Sequence, residues 1–176
     1  GMTSQARRDE IPRILAGADG PVSAGALAAR LGVSRQIVVG DVALLRAAGL
    51  SILATPRGYV LEAPAAPSRT VVACRHTPQQ LLDELYTVVD CGCGVLDVIV
   101  EHPVYGQISG TLNIFSRYDA DQFQRALSRN GAEPLCRLTG DIHLHTLACP
   151  DEAHAARVRK ALADKGYLYR DQENNA

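Results

Sequence analysis

The chain has 176 residues, of which 47% are hydrophobic and 21% are charged, a composition that excludes a disordered or collagen-like chain. No apolar run approaches the roughly 18 residues that span a bilayer, and the N-terminus has no hydrophobic signal-peptide segment. Five cysteines, an odd number at low density, favour reduced thiols over a disulfide framework. We therefore expect a cytoplasmic protein with no membrane partner.

A proline-containing segment at residues 62–68 divides the chain, because two prolines among small residues suit a short linker. We predict two domains, at residues 2–62 and 69–170, followed by a polar tail that we expect to be frayed. The chain up to Glu62 carries seven arginines and five acidic residues, a net charge of +2. The remainder carries 11 basic and 14 acidic residues, a net charge of −3. Only the first domain therefore has the sign of charge that favours a polyanion.

The first domain is predicted to contain three short helices and a hairpin. The helices are expected at residues 4–16, 23–32 and 34–48, and the two strands at 52–54 and 58–61. The tight turn Gly32-Val33-Ser34 between the second and third helices is typical of a helix-turn-helix, whose later helix enters the major groove. The hairpin is a plausible wing.

Five side chains are candidates for contact with DNA. Ser34, Arg35 and Gln36 occupy the first turn of the third helix, where side chains and free N–H groups reach phosphates and base edges. Arg46 and Arg57 are expected to hold the phosphate backbone. The alternative is a protein interaction domain in which Arg35 and Gln36 are solvated surface.

The second domain alternates between strand and helix patterns. Strands are predicted at residues 70–74, 95–100, 108–115 and 141–148, with a further short strand at 135–138, and helices at 77–90, 119–128 and 151–165. Thr77, Pro78 and Gln80 match a capping box with proline at the first helical position. This order predicts an α+β fold, a two-layer α/β sandwich with a mainly antiparallel sheet.

The sharpest local motif of this domain is His143-Leu144-His145. Residues i and i+2 of a strand point to the same side, so the two imidazoles form half of a transition-metal site. The motif alone is a weak signal for a metal, because a partly buried polar face gives the same pattern. His76 and Glu84 are candidates for completing the site, and their spacing permits this without requiring it.

Cys91-Gly92-Cys93 offers a rival metal motif, since thiolates bind zinc strongly. No second cysteine pair has a matching spacing, because Cys74, Cys136 and Cys149 are isolated in the sequence. The surrounding glycines fit a turn at the end of a helix. We interpret the cysteines as structural or incidental, and the role of Cys91 and Cys93 stays open.

Several separated motifs carry a resemblance to known families. The segment ALAARLGVSRQ at residues 26–36, with DVALLR at 41–46, resembles the winged helix-turn-helix of bacterial repressors of the biotin-repressor type. Val39 and Gly40 depart from it, since such recognition helices often carry polar residues there. The segments EHPVYG at 101–106 and LTGDIHLHT at 138–146, with His76 and Glu84 eight residues apart, resemble the three-histidine (3H) domain.

In bacteria the 3H domain follows a winged helix in niacin-responsive repressors of NAD biosynthesis or niacin uptake genes. The resemblance implies one divalent transition metal per chain, held by the residues that match His76, Glu84, His143 and His145. Zinc, nickel, iron and manganese all suit such a set of ligands. It also implies nicotinic acid as co-repressor, operator DNA as partner and a homodimer.

His102 and Tyr105 are candidate polar groups of the ligand pocket, although His102 fits a turn histidine equally well. Two other readings remain open. The metal could activate water in a hydrolase, with Glu101 or Asp141 as base, or it could be purely structural in a repressor. No nucleophile motif or phosphate-binding glycine loop supports catalysis, so we predict a protein without enzymatic activity and without catalytic residues.

Overall fold

The structure is a computed structural model that describes residues 2–62 and 69–170. The predicted linker after Glu62 and the polar tail at 171–176 lie outside these ranges. The chain forms two compact units, and each is treated separately below. Among the described residues, the first unit contains the N-terminal domain together with Glu101–Ile108, and the second contains residues 69–100 and Ser109–Tyr169.

The first unit contains the three helices and the hairpin that the sequence predicts. These are α1 (Ser4–Gly17), α2 (Ala24–Leu31), α3 (Arg35–Ala47), β1 (Ile52–Thr55) and β2 (Gly58–Leu61), with the two strands antiparallel. Each helix begins after a hydroxyl N-cap whose side chain accepts a hydrogen bond from a backbone N–H of the first turn. The three N-caps are Thr3, Ser23 and Ser34. A helix-turn-helix with a hairpin wing is therefore present.

An apolar core holds these elements together, and a buried ion pair connects α1 to α3. Arg7 donates two hydrogen bonds to Asp41, and both side chains are nearly inaccessible to water. Val39 and Gly40 are buried, and Val39 belongs to the apolar core. Val39 and Gly40, the two positions where similar recognition helices often carry polar residues, therefore face the interior of the first unit.

The second unit is built on a four-stranded sheet. The strands of this sheet are β3 (Thr70–Arg75), β4 (Gly94–His102), β5 (Gly106–Ile114) and β6 (Ile142–Ala148), of which the end of β4 and the start of β5 belong to the first unit. The helices of the second unit are α4 (Leu81–Asp90), α5 (Arg117–Arg129) and α6 (Glu152–Asp164). The strand order is β3-β6-β4-β5, and β6 pairs antiparallel with both β3 and β4. α4 packs against both α5 and α6. The predicted α+β class with an antiparallel sheet is confirmed.

Two local predictions need correction. The predicted short strand at 135–138 is a 3₁₀ helix, Leu135–Thr139, in which the carbonyl of Pro134 accepts from Arg137 N–H. Pro134 has no N–H to give to a sheet, so the segment forms local hydrogen bonds instead. The helix after Thr77 starts as a 3₁₀ turn, Pro78–Gln80, whose Gln80 side chain accepts from Thr77 N–H as the capping box predicts. In the part of the chain that the structure describes, no helix is long and apolar enough to cross a membrane.

Candidate metal centre and ligand cavity

The pairing of β3 with β6 places two segments of the second unit side by side. Cys74 lies opposite His143, and Val72 lies opposite His145. His76 follows one residue after β3 ends. The central strand β6 therefore brings both of its histidines next to the segment that carries His76.

Glu84, in the first turns of α4, is the residue on which the three histidines converge. Its carboxylate lies 2.7 Å from His76 Nε2, 2.9 Å from His143 Nε2 and 2.8 Å from His145 Nε2. All four side chains are at most 2% exposed. The structure thus brings together the four residues for which the resemblance implied a metal.

The outer ring nitrogen of each histidine faces a backbone carbonyl. The distances are 2.8 Å from His76 Nδ1 to Thr77 O, 3.0 Å from His143 Nδ1 to Asp141 O, and 2.7 Å from His145 Nδ1 to Asp97 O. A carbonyl only accepts hydrogen bonds, so each Nδ1 carries the proton. The inner Nε2 atoms of the neutral rings then offer lone pairs toward Glu84, and carbonyl partners of this kind orient histidines that bind metals.

Three lone pairs and a carboxylate repel one another unless a positive charge lies among them. Protons supply it in part. Burial alone would lower the pKa of His76 and of His145, but the adjacent Glu84 carboxylate outweighs this effect and raises both pKa values. Burial would raise the pKa of Glu84, yet the charges of His145 and His143 hold it well below its usual range.

One ring nitrogen of the cluster, His76 Nε2, lacks a hydrogen bond among the described atoms. His76 Nε2 is close to Glu84 but not aligned for a hydrogen bond, so among the described atoms it has no hydrogen-bond partner. Imidazole and carboxylate are both ordinary ligands of divalent transition metals, so such an ion is a chemically suitable partner for these donor atoms. The donor set of this cluster therefore fits a metal.

Local irregularities of the backbone orient the side chains of His143 and His145. The pairing of β4 with β6 shifts register between Val95 and Ile99, and the carbonyl of Asp97, inside this bulge, binds His145. At the other end of β6, Gly140 and Asp141 both have positive φ, and the carbonyl of Asp141 binds His143. Bulges and left-handed residues of this kind commonly redirect side chains at functional sites.

Cys74 is a further member of the cluster that the sequence did not suggest. The donor atoms of Cys74, Glu84 and His143 lie within 4.8 Å of one another, and all three residues are buried. Burial and the neighbouring carboxylate raise the pKa of the Cys74 thiol. The available signal was its position two residues before His76, the same spacing that relates His143 to His145.

A cavity of about 320 Å³ opens beside the imidazoles of His143 and His145. This volume lies within the range of small-molecule sites. The wall is mostly apolar, with Leu81, Val98, Leu112, Phe123, Leu127 and Leu135 among its residues. Among the described lining residues there is no lysine or arginine, and Glu133 is the one carboxylate. The cavity could take a small, flat, largely apolar molecule, with the imidazoles as its main polar contacts.

The structure does not bring His102 and Tyr105 to this cavity. Both lie in the first unit, at the turn between β4 and β5. His102 Nδ1 accepts hydrogen bonds from the backbone of Val104 and of Tyr105, and Tyr105 is 66% exposed. These hydrogen bonds are compatible with a turn histidine, which was the other reading of its sequence context.

The five candidate DNA contacts lie on α3 and on the wing of the first unit. Ser34 caps α3, Gln36 and Arg57 are exposed, and the Arg35 side chain is 41% exposed. Within the same unit, Arg35 lies 3.8 Å from Glu101, and Arg46 donates a hydrogen bond to Gln107. The first turn of α3 is accessible, as contact with a base edge requires.

The rival cysteine motif does not join the histidine cluster. Cys91 and Cys93 lie at the turn after α4, and Cys93 shares a separate surface cavity with Cys149. All five cysteines of the chain are free thiols. Burial and the neighbouring Cys149 raise the pKa of Cys93 to about 12.

Comparison with known families agrees with this geometry. Residues 7–60 match a helix-turn-helix domain, and residues 69–171 match the 3H domain. The arrangement of a winged helix followed by a histidine-bearing α+β domain therefore defines a class. The chain belongs to the family of helix-turn-helix transcription repressors that carry a 3H domain.

Two relatives extend over nearly the whole chain. It is 43% identical to the probable transcription repressor NiaR of Thermotoga maritima over 164 residues, which cover 93% of this chain and 94% of that protein. It is 37% identical to the transcription repressor NadR of Bacillus subtilis over 169 residues, or 94% of each. Both relatives are named as regulators, which supports the expectation that the chain is not an enzyme.

Proposed function

We propose that the chain is a cytoplasmic, homodimeric repressor of NAD biosynthesis or niacin uptake genes, with nicotinic acid as co-repressor. One divalent transition metal per chain, zinc, nickel, iron or manganese, is held by His76, Glu84, His143 and His145. The observation that carries this proposal is the apolar cavity whose inner wall includes two imidazoles of the cluster.

The cavity chemistry suits a pyridine carboxylic acid. The flat ring packs against the leucines and Phe123, while the carboxylate or ring nitrogen needs a positively charged or electrophilic partner. Since lysine and arginine are missing from the described lining, that partner must come from the side of His143 and His145. When bound, the metal supplies a Lewis-acidic positive centre there. A role of His102 or Tyr105 in ligand binding stays a prediction.

On the DNA side, two winged helices of a dimer read half-sites about one helical turn apart, roughly 34 Å. Ser34, Arg35 and Gln36 contact base edges and phosphates, while Arg46 and Arg57 bind the phosphate backbone. Nicotinic acid acts as co-repressor by binding more tightly to the dimer arrangement that fits both half-sites.

The test is calorimetric titration of nicotinate into metal-loaded protein. We expect binding to the wild type, loss of binding after chelation, and loss of both metal and ligand in the His143→Ala/His145→Ala double variant. Gly110→Val should keep the metal but weaken nicotinate binding, because a Cβ at Gly110 fits at 3.5 Å from Leu135 and enlarging it fills the cavity.

Gly20→Val is the matched control, since an added Cβ at Gly20 meets nothing within 4 Å and the residue lies in the first unit. Arg35→Ala should bind nicotinate like the wild type. A full equivalent of metal in the double histidine variant would refute the ligand assignment. Unchanged nicotinate affinity in Gly110→Val would place the ligand elsewhere.

A further inference from the structure

A buried thiol faces the same cluster as the four proposed ligands. Cys74 has no exposed surface, and its Sγ lies within 4.8 Å of a carboxylate oxygen of Glu84. Across the sheet its partner is His143, and two residues along the chain lies His76. Strand geometry places Cys74 on the same side as His143, because directly opposed residues share a face.

A buried cysteine usually behaves as a small apolar residue. Cys74 differs because a carboxylate and an imidazole lie beside it, with donor atoms within 4.8 Å of one another. His76 Nε2, fully buried in the same cluster, has no hydrogen-bond partner among the described atoms. If Cys74 were only an apolar packing residue, its place beside a carboxylate and imidazole nitrogens would have no explanation.

We propose that Cys74 is a further protein ligand of the metal and binds it as a thiolate. This inference rests on the proposed metal site. On binding, the S–H bond breaks heterolytically, the electron pair stays on sulfur and forms the bond to the metal, and the proton leaves to the solvent buffer. No group is oxidised or reduced.

Charge and softness both favour this assignment. Glu84 alone would leave a divalent ion with one uncompensated positive charge in a fully buried site, and buried net charge is costly. With the Cys74 thiolate as a second negative ligand, the net charge of the ion and its ligands is zero. A sulfur ligand also shifts preference toward zinc and nickel and away from manganese, because thiolates select softer metals.

The test uses full-length protein loaded with Co²⁺. Visible d–d bands report that cobalt is bound, and a near-ultraviolet thiolate-to-cobalt charge-transfer band reports a sulfur ligand. We expect both signals in the wild type, and we expect Cys74→Ser to lose the charge-transfer band while it keeps the d–d bands. Cys93→Ser and Cys136→Ser, which remove other buried thiols, should keep both.

The outcomes separate the two proposals. Bound cobalt without a charge-transfer band in the wild type, or a band that survives in Cys74→Ser, overturns the role of Cys74 and leaves the metal site standing. Absence of any bound cobalt overturns both. If Cys74→Ser does not fold, zinc-edge X-ray absorption of the zinc-loaded Cys136→Ser protein tests for a sulfur ligand. A zinc–sulfur distance of about 2.3 Å supports the role of Cys74, and a shell with only nitrogen or oxygen at about 2.0–2.2 Å overturns it.

Discussion

Glu84 is completely buried and still keeps its negative charge, because three imidazoles surround its carboxylate. Without a metal, protons must supply the positive charge of this cluster. With a metal, the same nitrogens must lose those protons, since only the deprotonated forms bind. A metal bound by this cluster would therefore couple its binding to pH and to the stability of the second unit.

The first prediction concerns the stability of chelated protein as a function of pH. Raised pKa values of His76 and His145 contribute stability below about pH 6.5, and this is lost as pH rises through their folded values. The lowered pKa of Glu84 contributes stability above about pH 4.3, and this is lost as pH falls through its folded value. Chelated protein should thus be most stable between these limits. Urea unfolding at intervals from about pH 4 to about pH 8 measures this profile.

Metal-loaded protein should show the opposite trend above about pH 6.5, because metal binding strengthens as the histidines lose protons. The gap in unfolding midpoint between loaded and chelated protein should therefore widen with pH. Glu84→Gln removes the charge that raises the histidine pKa values, and it should flatten the profile of the chelated protein. A chelated wild type that gains stability from pH 6.5 to pH 8 would contradict this account.

Sequence reasoning identified part of this site. The i, i+2 spacing of His143 and His145 predicted that they share a face, because strand geometry is local. Spacing alone made His76 and Glu84 candidates, and the family resemblance then implied their inclusion, since their meeting depends on how β3 pairs with β6 and where α4 packs. Cys74 was interpreted as isolated for the same reason. Its partner across the sheet, His143, lies far from it in sequence.

At the scale of elements, the turn between α2 and α3 sets how the recognition helix is presented. Gly32 has φ +71°, and its N–H bonds to the carbonyl of Ala28. A Cβ there would meet nothing within 4 Å, so conformational strain is the main cost of a side chain. We expect Gly32→Ala to reduce the free energy of unfolding by about 1 kcal/mol and Gly32→Asn to cost less. Urea denaturation of the three proteins measures these values.

Gly17→Ala is the matched control, because Gly17 ends α1, also has open space around its Cα, and is not among the positive-φ glycines. There the substitution should be neutral or slightly stabilising. If Gly32→Ala and Gly17→Ala changed the free energy of unfolding equally, the left-handed conformation of Gly32 would not be the cause of the loss of stability.

Most elements could be predicted from the sequence, because caps and apolar spacing are local signals. Ser23, Ser34 and Thr77 each mark a helix start that the structure contains. The segment after Pro134 was wrongly predicted as a strand, since its apolar residues do not distinguish a strand from a 3₁₀ turn. The polarity expected at Val39 and Gly40 is missing because tertiary packing buries both positions.

At the scale of the whole molecule, the proposed function requires that DNA and nicotinate each strengthen the binding of the other. Linkage makes this effect reciprocal, so one factor describes both directions. Allosteric coupling of about 1–3 kcal/mol corresponds to a change of about 5- to 150-fold in affinity. The DNA for such a measurement is a duplex selected from a random-sequence pool by metal-loaded protein, in parallel with and without nicotinate.

The central claim is that nicotinate strengthens operator binding through the metal-bearing domain. Fluorescence anisotropy of the selected duplex, titrated with metal-loaded protein at increasing nicotinate, tests it most directly. We predict that nicotinate raises DNA affinity about 5- to 150-fold, that chelation removes this gain, and that Arg35→Ala binds the duplex weakly with or without nicotinate. DNA affinity of the metal-loaded protein that does not change with nicotinate would contradict the account.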